Sequence, residues 1–150
     1  MRAKVIFNFL EQTEPDIYGR MLSDIWAFSD AKIESEHNFV QWVFPTTTPS
    51  ASVPGSPVLD IEEVRLIRKS EAALENLYTS ADWYFAFLER NNFWMKAHDH
   101  NHLRITRVIQ SLRLLGDADE ADFFREQVLR LLGDASNKIP PRTMKFWKEA

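Results

Sequence analysis

The stretch His100 to Gly116 constrains this chain more tightly than any other. At about 100° per residue, Ile105, Val108, Ile109, Leu112 and Leu115 gather on one broad face, a period that suits a helix and not a strand. Thr106, Gln110 and Arg113 fall roughly opposite and read as the wet face. Gly116 stands where a left-handed cap would close the helix. Between the broad apolar face and a smaller apolar edge of Leu103 and Leu114 runs a stripe of His100, Arg104, Arg107 and Ser111, spaced four, three and four. Two guanidinium groups flanked by leucines are poorly placed for water and call for a partner. That partner is either a carboxylate or helix C-terminus of the same fold, or a ligand carboxylate or phosphate held bidentately.

Helical spacing dominates elsewhere too. Val5 to Leu10 is a short apolar strand or helix start. It is broken by Asn8 and closed by Glu11, which makes it a poor signal peptide. Ile17, Met21, Leu22, Ile25 and Trp26 recur at helical intervals. Ser29 or Asp30 is placed to cap a helix predicted over about 31–44, in which His37 and Gln41 project among Ile33, Val40 and Phe44. A histidine and a glutamine on an apolar face need hydrogen-bond partners, because each one left unpaired costs on the order of 1–3 kcal/mol. Pro45 ends that helix, and a proline-rich connector follows over residues 46–57, surface-bound and placed to cross the molecule or cover a pocket. Asp60 with Glu63 reads as a capping box. A short helix follows, and Ser70 opens a longer one, to about residue 89, apolar nearly all round. Phe124, Val128 and Leu132 mark a further amphipathic helix ending at Gly133. Pro140-Pro141 introduces a last one, docked by Phe146 and Trp147. With no strand pattern and no internal repeat, the expectation is an all-α single globular domain of about six or seven helices over residues 1–150.

Composition narrows function by exclusion. A hydrophobic fraction of 45% with 5 Trp, 3 Tyr and 11 Phe in 150 residues is that of a folded domain. A net charge of −4, with basic residues scattered among acids, argues against nucleic acid as a partner. Without cysteine there is no disulfide, thiolate zinc site or cysteine nucleophile. No run approaches the roughly 18 apolar residues of a membrane span, so a soluble, cytoplasmic protein is expected. His98, His100 and His102 alternate, yet alternate residues share a face only on a strand, and this run abuts a helix; no metal site is assigned. Asp99 or Asn101 reads more simply as an N-cap. Phosphate-loop, dinucleotide, nucleophile-elbow and zinc-protease motifs are missing, and no cofactor is expected.

Several pieces of the sequence, in one order, resemble a known family. His100-Asn101-x-Leu103-Arg104-Ile105-Thr106-Arg107 resembles a signature of the opioid growth factor receptor conserved domain. His37-Asn38-Phe39-Val40-Gln41-Trp42-Val43-Phe44-Pro45 resembles the other, with Phe39 for its tyrosine and valines for its isoleucine and leucine. Asp24-Ile25-Trp26, Ile33-Glu34-Ser35-x-His37, Pro57-Val58-Leu59 and Ser111 to Gly116 support the match, which spans about residues 9–147. The resemblance implies a receptor-like helical domain, in a family named for animal members said to bind an enkephalin-type peptide. The expected site is a cleft between the 31–44 and 101–115 helices. There Arg104 and Arg107 hold an anionic small molecule or peptide, His37, Gln41, His100 and Asn101 orient it, and Trp42 and Phe44 form walls. The alternatives are an enzyme acting on an anionic small molecule with His37 or His100 as general base, and an interaction module without a pocket.

Overall fold

The computed structural model describes residues 4–150. Among them there is no strand, and nine α-helices with one 3-10 helix carry the fold. The helices are α1 (Val5–Leu10), α2 (Leu22–Trp26), α3 (Asp30–Ser35), α4 (Val40–Val43), α5 (Ile61–Lys69), α6 (Glu71–Arg90), α7 (Asn101–Leu115), α8 (Ala118–Leu132) and α9 (Pro141–Glu149), with the 3-10 turn Gly133–Lys138 after α8. The all-α expectation holds; the larger count comes from the first 45 residues, where four helices are six residues or shorter. No helix among the described residues is long and apolar enough to cross a membrane. The chain resolves into two compact units, residues 1–80 and 81–150, and α6 gives its first half to one and its second half to the other.

In the first unit, local polar groups cut the helical spacing into short pieces. The predicted helix through Ile17 begins only at Leu22, because the Asp16 carboxylate takes the backbone N–H groups of Tyr18 (2.9 Å) and Arg20 (3.0 Å) into a turn. Ile17 and Tyr18 are left exposed. The next helices are capped where the sequence suggests: Ser29 accepts from Lys32 N, Asp60 from Glu63 N and Ser70 from Ala73 N. Only half of the expected capping box forms. The Glu63 carboxylate, 3% exposed as a residue, reaches instead to α1, where Oε2 accepts from Ile6 N (3.1 Å) and Phe7 N (3.0 Å). It thereby satisfies N–H groups that the first turn of any helix leaves without intrahelical partners. The far end of α1 is held by Asn76 Nδ2 donating to Leu10 O (2.7 Å) and Ser70 Oγ to Glu11 Oε2 (2.7 Å).

In the second unit, α7 matches its periodicity. Ile105, Val108, Ile109, Leu112 and Leu115 are all at most 1% exposed. Phe124, Val128 and Leu132 form the buried side of α8. Trp94 is fully buried and its indole N–H donates to Leu88 O and Asn91 O, so the polar atom costs nothing in the core. Trp147 docks α9 as expected by donating to His102 O at 3.1 Å, while Phe146 is 44% exposed. Pro141 starts α9 at a position whose N–H has no helical acceptor. The two glycine stops differ. Gly116 is extended (φ −104°, ψ −151°) and is no left-handed cap, whereas Gly133 takes φ +50° and ψ −125°.

Candidate functional site

The first signature segment, residues 37–45, is not one helix. A helix through it would need Asn38 O to accept from Trp42 N. That carbonyl instead accepts from Arg20 Nη2 (3.3 Å), while Arg20 Nη1 donates to Asn38 Oδ1 (2.9 Å) and Arg20 Nε to the buried Asp16 carboxylate (2.7 Å). Trp42 N turns to Phe39 O at 3.0 Å, and the short α4 begins. The consequence for the site is direct. His37 lies between α3 and α4 and is exposed, not on the buried face of a 31–44 helix. Gln41, Trp42 and Phe44 are buried. Trp42 meets Phe9 edge-on (centroids 5.5 Å apart) and also lines a cavity of about 260 Å³ with Tyr18, Asn38 and the 53–57 loop. Gln41 is the anomaly: its Oε1 is buried and accepts no hydrogen bond.

The second signature segment opens α7. His100 occupies the N-cap position and is exposed, with no side-chain cap bond. The capping is done one residue earlier, by Asp99 Oδ1 accepting from Asn101 N (2.9 Å) and Asn101 Nδ2 (2.8 Å). Asn101 is fully buried and its Oδ1 accepts from Tyr84 OH at 2.6 Å and Arg104 Nη1 at 3.4 Å. Tyr84, Asn101, Asp99 and Arg104 therefore form one buried polar network. Tyr84 was not legible as part of it, since a tyrosine on an apolar helix reads as core.

Both arginines are drawn out of water. Arg104 is 6% exposed, and burial lowers the Arg107 guanidinium to about 10, still well above neutral pH. The apolar edge expected beside them is looser than its sequence suggests, as Leu103 is 62% exposed. His102, outside the stripe, is a core histidine. Its Nε2 sits 2.7 Å from Trp94 O, and because a carbonyl only accepts, Nε2 carries the proton. That nitrogen is thus unavailable to a metal. Arg113, read as a solvent residue, in fact donates to Asp122 Oδ1 (2.7 Å) and Ala150 O (2.7 Å). The guanidinium holds the Asp122 carboxyl below its ordinary value, chiefly through that hydrogen bond.

Fold and segments together define an all-α chain with one histidine-bearing signature in each unit, the first around a break between helices and the second at a helix start. The chain belongs to the opioid growth factor receptor conserved-region family: the family described as "Opioid growth factor receptor (OGFr) conserved region" matches residues 7–132. Similar relatives are the opioid growth factor receptors of Mus musculus, 29% identical over 74% of this chain and 21% of that protein, and of Rattus norvegicus, 28% identical over 74% and 23%. That of Homo sapiens is 26% identical over 74% and 20%. The chain thus spans about a fifth of the length of these curated relatives. No solved structure matches it.

Proposed function

We propose that this chain is a receptor-like, ligand-binding helical domain in which the arginine stripe of α7 holds an anionic group of a small molecule or peptide. The carrying observation is the desolvation of Arg104 and Arg107, one turn apart within the family-matched region. A guanidinium stripped of water gains more from an incoming carboxylate or phosphate than an exposed one does, and two forks in adjacent turns suit a planar anion. Asn101, fixed by Tyr84 and Asp99, holds Arg104 in orientation, and His100 stands exposed at the helix start. In the first unit the same reasoning singles out Gln41, whose buried Oε1 is an acceptor for a ligand N–H. The names of the relatives, which are receptors, agree with a ligand-binding role.

The test compares melting of the wild type, Arg104→Met and Arg107→Met with and without inorganic phosphate and citrate. A binding stripe predicts that an anion raises the wild-type melting temperature, that Arg107→Met abolishes the rise, and that its own stability is unchanged or higher, as at sites tuned for function. If both variants instead lose roughly 3–5 kcal/mol and the wild type ignores the anions, the arginines are structural and the proposal falls.

A further inference from the structure

A depression of about 320 Å³ lies in the second unit between the start of α7 and α9; neither Arg104 nor Arg107 lines it, and Asp99 is the one member of the buried network that does. Two large apolar side chains line it while exposed to water, Leu103 at 62% and Phe146 at 44%. Exposed apolar side chains that share one hollow with a polar rim are the kind of surface a partner covers. Its charge is the second observation. In a chain of net charge −4, the surroundings are basic. Arg142 stacks on the Phe146 ring (5.5 Å to the centroid), Lys145 is 72% exposed one residue before it, and the exposed His98 lines the same hollow. The one carboxylate in the lining, Asp99, is spent: its side chain is 7% exposed, Oδ1 accepts twice from Asn101, and Lys96 stands 3.8 Å from Oδ2. Lys145 does face Glu149 at 3.9 Å, but both are exposed, and such a pair is worth little. Thr143 adds a hydroxyl to the lining.

We infer that this hollow docks an acidic segment of a partner protein, an apolar side chain seated between Leu103 and Phe146 and flanking carboxylates meeting Arg142, Lys145 and His98. Charge complementarity selects the occupant: an apolar segment with basic flanks would meet like charge, while one with acidic flanks gains attraction and a faster encounter. The inference goes beyond the arginine reading and uses neither Arg104 nor Arg107.

The experiment is fluorescence anisotropy with a labelled peptide carrying one phenylalanine and one leucine between runs of glutamate, beside a twin with lysine for every glutamate. The glutamate peptide should bind and weaken with added salt, and the lysine twin should bind at least about tenfold more weakly. Phe146→Ser and Leu103→Ser should each weaken binding by about tenfold or more. Both positions are exposed, so melting curves should match the wild type, and if one variant melts early the other carries the test. Arg107→Met should leave this affinity unchanged. Equal binding of both peptides, indifference to Phe146→Ser and Leu103→Ser, loss with Arg107→Met, or no binding at all would each overturn the inference.

Discussion

Replacing Glu63 tests how the first unit is held together. Helix α1 has six residues, Lys4 gives it no side-chain cap, and a helix this short does not persist alone. Its first-turn N–H groups at Ile6 and Phe7 are taken by one buried carboxylate oxygen, contributed by a residue 57 and 56 positions away. In Glu63→Ala both donors lose that acceptor. Ile6 is 2% exposed, so its N–H pays a full desolvation penalty of about 1–3 kcal/mol, and the half-buried Phe7 pays less. The sum is about 2–5 kcal/mol, or a fall in melting temperature of roughly 5–15 °C for a chain of this size. Glu63→Gln keeps an acceptor oxygen and loses only the charge assistance, about 1–2 kcal/mol. Thermal melts give the magnitudes, and amide exchange gives the location, with Ile6 and Phe7 exchanging faster in the alanine variant. An alanine variant melting within about 2 °C of the wild type, or a glutamine variant as damaged as the alanine one, would refute the reasoning.

Two further tests probe the second unit. Arg113→Met should return the Asp122 carboxyl upward toward its ordinary titration range, followed by NMR. In the wild type its folded pKa is depressed, so the contribution of this exposed pair is present above the ordinary carboxylate range and is lost as pH falls through the folded value. Gly133→Ala should cost about 1–2 kcal/mol in denaturant melts, because φ +50° burdens any residue with a Cβ even though no heavy atom lies within 4 Å of the added methyl. Gly116→Ala, on extended backbone, carries no such strain.

The division between the readable and the unreadable runs mostly along sequence distance, the local turn at Asp16 excepted. α5 to α9 are periodic; Asp60 and Ser70 cap the starts of α5 and α6, and Pro141 opens α9 without a side-chain cap, so these starts are marked in the sequence itself. The first 45 residues depart from their helical spacing at two points for one reason: Asp16 and Arg20 compete for backbone groups that a helix would use, and nothing in the spacing of Ile33, His37 and Gln41 announces that Asn38 O is claimed by Arg20. His37 is left in solvent because α3 ends at Ser35, Glu36 turns extended (ψ 132°) and Arg20 claims Asn38 O. In the candidate site, the sequence singles out His100, Arg104, Arg107 and Ser111 as polar residues on an awkward face; Arg104 and Ser111 are buried, whereas His100 is exposed. The sequence missed Tyr84, which enters the network from another helix.

By itself, then, the sequence determined the all-α class, the apolar face of α7, the helix starts with local caps and the family, because each rests on residues within about a turn of one another or on an ordered motif. Only the tertiary structure decided that Glu63 caps α1 rather than its own helix, that His37 and Phe146 face water, and that His102 is a core residue. The positions of Glu63, His37 and His102 depend on which donor or acceptor elsewhere in the chain pairs with a buried polar group. A satisfied hydrogen bond in the core outweighs the local preference that the sequence displays.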